Sequence, residues 1–433
     1  MARGWHRWLR RGVLAGVLAA AAFAPGQASG AFAPGQASGA PGGCGPSRCG
    51  RAGLVRWTHP LPGAWAAASD MLGTVPGQPG AGQAYAAAGQ AVVAVGFGMI
   101  VYAYSARTGD PLWVTGLSGF PAGSRIVSVR VWPAGVTVGV ARGQLLAGAG
   151  SKQRTVLLSA GKGHRLRSYP AAPFGGAIAG TSQSTVVLGP STVTSYQNAT
   201  GKVIWSRATG QASEGWRSDG GHLYVAVAAR GPLGAGPVTA LREISLRGGA
   251  ERIIHPAGGP FQGRLTAVLR GVALFSGPAG TSAYSSSTGS LLWQRRDAVP
   301  ESADVTRGVF YLTTSNGNLV GVQPSSGRVV ARVPGAEEST SSGASGVYGV
   351  RGGVALGVDL GPGGRAWGYD VAGQRVIWTT RPLPWPHFFV DLSGIGGSTS
   401  PSSGTLLLAA CPQRVAGSPA GFCHDPELVL IDR

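Results

Sequence analysis

The chain has 433 residues and a formal charge of +19, with 74 glycines and 30 prolines. That much glycine and proline predicts many short elements joined by tight turns and argues against long helices. The apolar fraction of 43% is enough for a large core, which argues against a disordered chain, and the positive charge favours anionic partners.

Residues 1–30 are predicted to be an export signal. Arginines precede an apolar run from Gly12 to Phe23, and Ala28-Ser29-Gly30 offers small residues for cleavage. Because the run is too short to span a bilayer, we do not expect a membrane anchor. The pair Arg10-Arg11 permits the twin-arginine route as well as general secretion, and the sequence leaves both open.

Residues 31–51 form a predicted Gly/Pro/Ser-rich linker that contains Cys44 and Cys49, and two more cysteines, Cys411 and Cys423, lie near the C-terminus. In an exported protein these residues are expected to form disulfides, and their spacings lack the C-x-x-C form of zinc and redox sites. Three pairings are open. We favour the local bridges Cys44–Cys49 and Cys411–Cys423 over a cross-link between the two ends.

From residue 52 onwards the chain repeats one short string: "AYSARTGDPLW" (103–113), "SYQNATGKVIW" (195–205) and "AYSSSTGSLLW" (283–293). We interpret the glycine as a turn residue with positive φ and the Trp, on the following strand, as a filler of the gap between neighbouring units. The predicted structural residues are Thr108, Gly109, Trp113, Thr200, Gly201, Trp205, Thr288, Gly289 and Trp293.

Weaker copies extend the repeat. The strings at 158–167, 244–253 and 322–331 keep the glycine and lose the Trp, whereas "YDVAGQRVIW" (369–378) keeps Trp378 with its glycine one place early. An eighth copy is divided between the two ends of the chain: "GLVRW" supplies Gly53 and Trp57, and "ELVLIDR" supplies the strand that precedes them. The mean spacing is about 46 residues.

Each unit contains three or four runs rich in β-branched and aromatic residues, which is the content of one propeller blade. The sequence therefore predicts an all-β fold over residues 52–433: an eight-bladed β-propeller of four-stranded blades. The strand with Leu54 and Val55 should pair with the strand that contains Val429 and Ile431, closing the ring and removing its free edges.

The pattern aromatic-x-x-x-Thr-Gly-x-x-x-Trp resembles the pyrroloquinoline-quinone (PQQ)-like repeat. This resemblance implies a β-propeller and two classes of function. Quinoprotein alcohol dehydrogenases form one class. Non-enzymatic relatives form the other, including the propeller lipoprotein of the outer-membrane β-barrel assembly machinery and extracellular sensor domains of receptor kinases.

The enzymes of this family use adjacent cysteines, a Ca²⁺ held by Glu, Asn and Asp, and a catalytic Asp. This sequence has no adjacent cysteines, and Asp304, Asp359 and Asp391 stand alone. We therefore expect the non-catalytic branch, with no catalytic residues, no cofactor and no metal site. A PQQ-dependent dehydrogenase is the alternative.

The string "RPLPWPHFF" (381–389) departs from the repeat and carries Trp385, His387, Phe388 and Phe389 among three prolines. It is either a connection between blades or an aromatic binding loop at the mouth of the channel.

Loss of the four signal arginines leaves a charge of about +15, which attracts polyanions. No dense basic run interleaved with aromatics is present, so nucleic acid is not the expected partner. The expected function is that of an exported, monomeric binding or scaffold module. Its partner would be a protein or an anionic polymer of the cell envelope, with peripheral contact to membrane or wall.

Overall fold

The computed structural model describes part of the chain. The described residues are 53–60, 64–66, 82–89, 91–142, 153–171, 176–189, 191–209, 213–219, 221–231, 234–316, 318–333, 345–359, 364–383, 386–387, 405–410, 413–414, 422–424 and 427–432. The predicted signal and linker lie outside these residues, so both stay predictions.

Every regular element in the described residues is a β-strand, which confirms the all-β prediction. In chain order the strands are β1 (Val55–Pro60), β2 (Ala64–Ala66), β3 (Gly82–Ala88), β4 (Val92–Phe97), β5 (Ile100–Ser105), β6 (Pro111–Gly116), β7 (Ser124–Trp132), β8 (Gly135–Arg142), β9 (Gln153–Leu158), β10 (Arg165–Ala171), β11 (Gly176–Gly180), β12 (Ser184–Leu188), β13 (Thr192–Gln197), β14 (Val203–Ala208), β15 (Ser213–Asp219), β16 (His222–Gly231), β17 (Gly234–Ser245), β18 (Glu251–Ile254), β19 (Arg264–Leu269), β20 (Val272–Gly277), β21 (Gly280–Ser285), β22 (Leu291–Arg295), β23 (Ala298–Asp304), β24 (Val309–Thr314), β25 (Leu319–Val322), β26 (Val329–Val333), β27 (Ser345–Arg351), β28 (Val354–Asp359), β29 (Ala366–Asp370), β30 (Arg375–Thr379), β31 (Pro386–His387), β32 (Thr405–Ala410), β33 (Gln413–Arg414), β34 (Phe422–His424) and β35 (Glu427–Asp432).

The described strands form eight sheets, which we number along the chain. Sheets 2 to 7 each contain four consecutive strands, from β7–β10 to β27–β30, and sheet 1 contains β3–β6 with an extension. Sheet 8 has the order β1-β35-β32-β31. All neighbouring strands in sheets 2 to 8 are antiparallel.

Sheet 8 joins the two ends of the chain as the sequence predicted. Val55 of β1 lies opposite Ile431 of β35, and Thr58 lies opposite Val429. β35 also pairs with β32, so it occupies the interior of the sheet and has no free edge. The strand that follows the predicted linker thus completes a sheet begun by the C-terminal segment.

One feature of the topology was not predicted from sequence. β34 pairs antiparallel with β2, and β2 pairs parallel with β3, so sheet 1 continues beyond its first strand as β33-β34-β2-β3. β33 and β34, which come between β32 and β35 in the chain, therefore belong to sheet 1. Such long-range pairing between short strands has no local signature in a sequence.

In a meander of four antiparallel strands, the turn between strands 1 and 2 and the turn between strands 3 and 4 lie at the same end. Hydrogen bonds connect the two: the amide of Ala106 donates to Ala91 O at 2.9 Å in sheet 1, and that of Ser286 donates to Gly271 O at 2.8 Å in sheet 5. We call this end the turn face. The 2–3 turns and the connections between sheets lie at the opposite face.

The core lies between adjacent sheets. Trp113 of sheet 1 belongs to one buried cluster with Ile126 and Val138 of sheet 2. Second strands are buried along nearly their whole length, as in β8, because a neighbouring sheet covers each of their faces. Fourth strands alternate and leave aliphatic side chains such as Val203 and Ile204 exposed. The fourth strand is therefore the more exposed edge of its sheet.

Candidate functional site

The repeat string builds a tight turn at the start of each fourth strand. In sheet 1 the amide of Gly109 donates to Ser105 O at 2.9 Å, and the amide of Ser105 donates to Asp110 O at 2.8 Å. Gly109 has the predicted positive φ, +79°, which a side chain would oppose. Its counterparts Gly201 and Gly289 have φ values of +75° and +71°.

The threonine before each glycine is held within its own turn. The Thr108 hydroxyl donates to the Asp110 carboxylate at 2.6 Å, and the Thr200 hydroxyl donates to Gln197 Oε1 at 2.6 Å. The hydroxyls of Thr288 and Ser290 lie 2.8 Å apart. These three threonines therefore stabilise turns, and they are exposed at the turn face.

The Trp of one sheet packs on the turn glycine of the next. A Cβ at Gly163 of sheet 2 would lie 2.4 Å from the ring of Trp113, so only glycine allows this approach. The Trp113 indole N–H also donates to Ala160 O in the same turn, at 2.7 Å. Trp57 is placed in the same way on Gly109, Trp205 on Gly249 and Trp378 on Gly53. Trp57, Trp113, Trp205 and Trp378 are all buried.

Two residues differ from the sequence-based expectation. Trp293 is only half-buried, although its indole N–H donates to Pro324 O at 2.6 Å. In the copy that ends at Trp378, the residue four places before the Trp is Gln374, and Gln374 takes the left-handed φ, +49°. The copy is therefore in register with the others, with Gln374 at the glycine position instead of the misaligned Gly373.

Sheets 2, 4 and 6 lack the Trp, and polar groups bridge their contacts with the next sheet. Arg167 occupies the Trp position of sheet 2 and donates to Ala199 O in the turn of sheet 3. The carboxylate of Asp219 in sheet 4 accepts the amide of Arg270 in sheet 5 at 2.9 Å. In sheet 6 the buried carboxylate of Asp304 accepts the amide of Gly353 in sheet 7 at 2.6 Å.

The other predicted site residues are only partly described. His387 lies in β31, opposite Ala409 of β32, so it belongs to a strand of sheet 8 instead of a loop. Cys423 lies in β34, opposite Trp65 of β2. The remaining members of the candidate loop and of the cysteine set lie outside the described residues, so the binding loop and the disulfides stay predictions: Trp385, Phe388, Phe389, Cys44, Cys49 and Cys411.

The turn face carries a series of exposed basic side chains that the sequence did not reveal. Six repeat turns place one within two residues of the position with positive φ: Arg107, Lys162, Lys202, Arg247, Arg328 and Arg375. The Gly289 turn of sheet 5 has none, but the 1–2 turns of sheets 5 and 6 supply the exposed Arg270 and Arg307. The Arg270 guanidinium lies against Gly308, and that of Arg307 lies against Gly353. We call these eight residues the basic turn set.

Carboxylates on the same turns have partners of their own. Asp110 accepts the Thr108 hydroxyl, Glu251 pairs with Arg242, and Asp370 accepts the amide of Ala372 at 3.1 Å. Among the described residues, no member of the basic turn set makes an ion pair with a carboxylate. The set is dispersed in sequence, at about one residue per repeat, and stacking of the repeats brings it to one face. Aligning the repeats on the turn glycine and marking the basic residues would have revealed the set from sequence.

The opposite face has an open cleft of about 460 Å³ lined by Gln262, Pro278, Ala279, Gln294 and Arg296. Within the described ranges, no three His, Cys, Asp or Glu side chains lie together in a way that could hold a metal ion. The same ranges include no helix with the length and apolar character needed to cross a membrane.

Residues 171–357, which include sheets 3 to 6, match the family model PQQ_2, described as outer membrane protein assembly factor BamB. Residues 171–357 thus carry the PQQ-like repeat. This confirms the resemblance seen in the Thr-Gly and Trp pattern.

Comparison with solved structures found several propellers. BamB from Moraxella catarrhalis is 14% identical over 81% of this chain and 84% of its own, with a TM-score of 0.41. The quinohemoprotein alcohol dehydrogenase ADHIIG from Pseudomonas putida is 13% identical over 87% and 76%, with a TM-score of 0.48. The computationally designed Ika8 protein is 12% identical over 89% and 100%, with a TM-score of 0.48. None of these likenesses bears on the function of this chain. No curated protein sequence matched it.

Proposed function

We propose that the chain is an exported, non-catalytic β-propeller that acts as a binding or scaffold module in the cell envelope. The proposed partner is a protein or an envelope polymer with an anionic surface, and the basic turn set is its binding face. The observation that carries this proposal is the placement of eight exposed cationic side chains on one face without carboxylate partners among the described residues.

The proposed scaffold is a closed ring of eight blades over residues 52–433. Two contacts of sheet 8 support closure. Trp378 of sheet 7 packs on Gly53, and Trp57 packs on Gly109 of sheet 1, so sheet 8 has a neighbour on each side. Gly53 precedes β1 and Trp57 lies in it, so both contacts depend on the place of β1 in sheet 8. The pairing of Val55 with Ile431 gives β1 that place. A chain that lacks residues 44–58 should therefore lose cooperative unfolding, and retention of a single sharp transition would contradict closure.

A ring of turns suits an extended anionic partner better than a small substrate. The basic turn set belongs to successive sheets, so its charges are dispersed around the face. Exposed charges of one sign raise the association rate with a polyanion and are screened by salt beyond about 8–10 Å. Arginine adds a planar fork that fits carboxylate and phosphate groups. The description of the matching family, an outer membrane assembly factor, also favours a module that binds and does not catalyse.

The test is binding of the purified protein to poly(glycerol phosphate) across a series of salt concentrations. The wild-type affinity should fall steeply with salt. A triple variant, Arg107→Gln with Lys162→Gln and Lys202→Gln, should bind at least about tenfold more weakly, because each lost charge-assisted contact costs roughly 1 kcal/mol.

A matched control removes equal charge from the opposite face: Arg142→Gln with Arg296→Gln and Arg381→Gln, all exposed in the wild type. It should keep most of the wild-type affinity. Equal loss in both triple variants would mean that net charge acts without a defined face, which contradicts the proposal. Turnover of an alcohol after addition of PQQ and Ca²⁺ would instead favour the dehydrogenase alternative.

A further inference from the structure

Three arginines from the first strands of sheets 2, 4 and 5 lie close together, away from the basic turn set. They are Arg130 on β7, Arg217 on β15 and Arg264 on β19. The Arg130 guanidinium lies 5.1 Å from the centre of the Trp216 ring on β15. β15 and β19 lie close together at Gly215. A Cβ at this residue would be 2.6 Å from Leu265 O and 3.5 Å from Arg264 Cγ.

Backbone carbonyls account for only some of the donors in this cluster. Arg130 Nη1 donates to Ala177 O of β11 at 3.0 Å. Arg217 Nη1 donates to Trp216 O at 2.6 Å, and Arg217 Nε donates to Thr266 O. Each guanidinium carries more N–H groups than these bonds use. The side chain of Arg264 is exposed and makes no hydrogen bond or ion pair within the described residues.

Among the described residues, no carboxylate makes an ion pair with any of these three guanidinium groups. Burial lowers the pKa of Arg130 to about 10. Burial, followed by the charges of Arg264 and Arg130, lowers the pKa of Arg217 to about 10. Arg130 and Arg217 therefore remain charged near neutral pH, and the charges of Arg264 and Arg130 repel that of Arg217. The acidic group that follows on β15, Asp219, accepts the amide of Arg270.

We propose that Arg130, Arg217 and Arg264 form a binding site for a phosphate-class oxyanion, either free or carried by a larger ligand. Such an anion would relieve the repulsion among the three charges and accept the donors that the carbonyls leave unused. The planar guanidinium fork matches the geometry of a phosphate, and the Arg130 guanidinium lies over the Trp216 ring. The competing explanation is that the arginines only connect the edges of neighbouring first strands.

Calorimetric titration with inorganic phosphate, at constant ionic strength set with chloride, tests the site. Arg264→Gln is the informative variant, because the Arg264 side chain makes no described hydrogen bond that would hold the fold together. We expect the dissociation constant for phosphate to rise at least about tenfold in this variant. Arg142→Gln, an equal loss of charge at the exposed end of β8, should bind phosphate as the wild type does.

A parallel titration with a glycerol phosphate oligomer distinguishes the two sources of the anion. If only the oligomer binds, and Arg264→Gln weakens it, the site takes a phosphate group within a larger ligand. If neither probe binds the wild type, or if Arg264→Gln binds both unchanged, the arginines are structural and the proposal is wrong. The two sites are tested by different variants: Arg264→Gln should lower the affinity for phosphate, and the triple variant of the turn face should lower the affinity for the polymer.

Discussion

Contacts between neighbouring sheets are of two kinds, and the contacts of sheets 1 and 6 with the sheets that follow them illustrate the difference. Between sheets 1 and 2, the ring of Trp113 covers Gly163 and its N–H donates to Ala160 O. Between sheets 6 and 7 there is no Trp, and the buried carboxylate of Asp304 accepts the amide of Gly353. Sheets 1, 3, 5, 7 and 8 contribute a Trp, whereas sheets 2, 4 and 6 use polar bridges.

The difference separates what the repeat requires from what it tolerates. The turn geometry is common to both kinds: Gly327 of sheet 6 has φ +65° and donates its amide to Gln323 O, like Gly109 in sheet 1. The turn is therefore set by local backbone chemistry, and neighbouring sheets can be joined by a Trp or by a polar bridge. A Trp stabilises by removing apolar area from water, whereas a buried carboxylate stabilises only if N–H groups satisfy it.

Removal of a buried Trp should have the largest effect. Trp113→Ala loses both the packing on Gly163 and the bond to Ala160 O, so we expect the free energy of unfolding to fall by about 3–5 kcal/mol. Trp293 occupies the same position in sheet 5 but is only half-buried, so Trp293→Ala should cost clearly less. Denaturant titration of both variants measures the difference, and equal losses would contradict the link to burial.

Loss of the buried carboxylate should come next. Asp304 accepts the amides of Thr306, Arg307 and Gly353, so Asp304→Ala leaves buried donors unpaired and should cost about 2–4 kcal/mol. Asp297 is an exposed control, 3.6 Å from Arg295, and Asp297→Ala should change stability by less than about 0.5 kcal/mol. A cost near zero for Asp304→Ala would mean that sheets 6 and 7 stay together without this bridge.

High pH should lower the free energy of unfolding through Tyr311, a buried residue near Asp304. Burial, followed by the charge of Asp304, raises the pKa of Tyr311 to about 12. The folded state therefore holds this proton more tightly than the unfolded state, whose tyrosines titrate near pH 10. The stabilisation is fully present below about pH 10 and is lost as the pH rises towards 12, by roughly 2–3 kcal/mol.

Tyr311→Phe removes this proton and isolates its effect. Between pH 9 and pH 12 the unfolding free energy of the wild type should fall more than that of the variant, by about the amount above. Parallel pH profiles for the two proteins would show that Tyr311 ionises normally in the folded state.

The sequence predicted those parts of the molecule that repeat locally. Thr108-Gly109 and Trp113 recur at fixed spacing, and Val55 and Ile431 were paired because each supplied half of the same string. The polar bridges were not predicted, because Asp219 and Asp304 lie at different distances from the next turn glycine and stand alone in sequence. The basic turn set was not predicted for a related reason. One basic residue per repeat looks dispersed until stacking brings all the turns to one face.

The smallest effect is expected in the turn of sheet 7. Trp378 of this sheet packs on Gly53 as the other Trp residues do, but the turn has Gln374 where the other turns have glycine. Gln374 has φ +49° at the position that is glycine elsewhere, and a left-handed φ costs a side chain roughly 1–2 kcal/mol. Gln374→Gly removes that strain but adds about 0.5–1 kcal/mol of chain entropy to the unfolded state. The net result should be a gain of up to about 1 kcal/mol in the free energy of unfolding.

Gly373→Ala, at a glycine without positive φ, should give no comparable gain. If Gln374→Gly destabilised the protein while Gly373→Ala did not, the glycine position of this copy would not be at residue 374. The turn of sheet 7 would then differ from the others in geometry as well as in sequence.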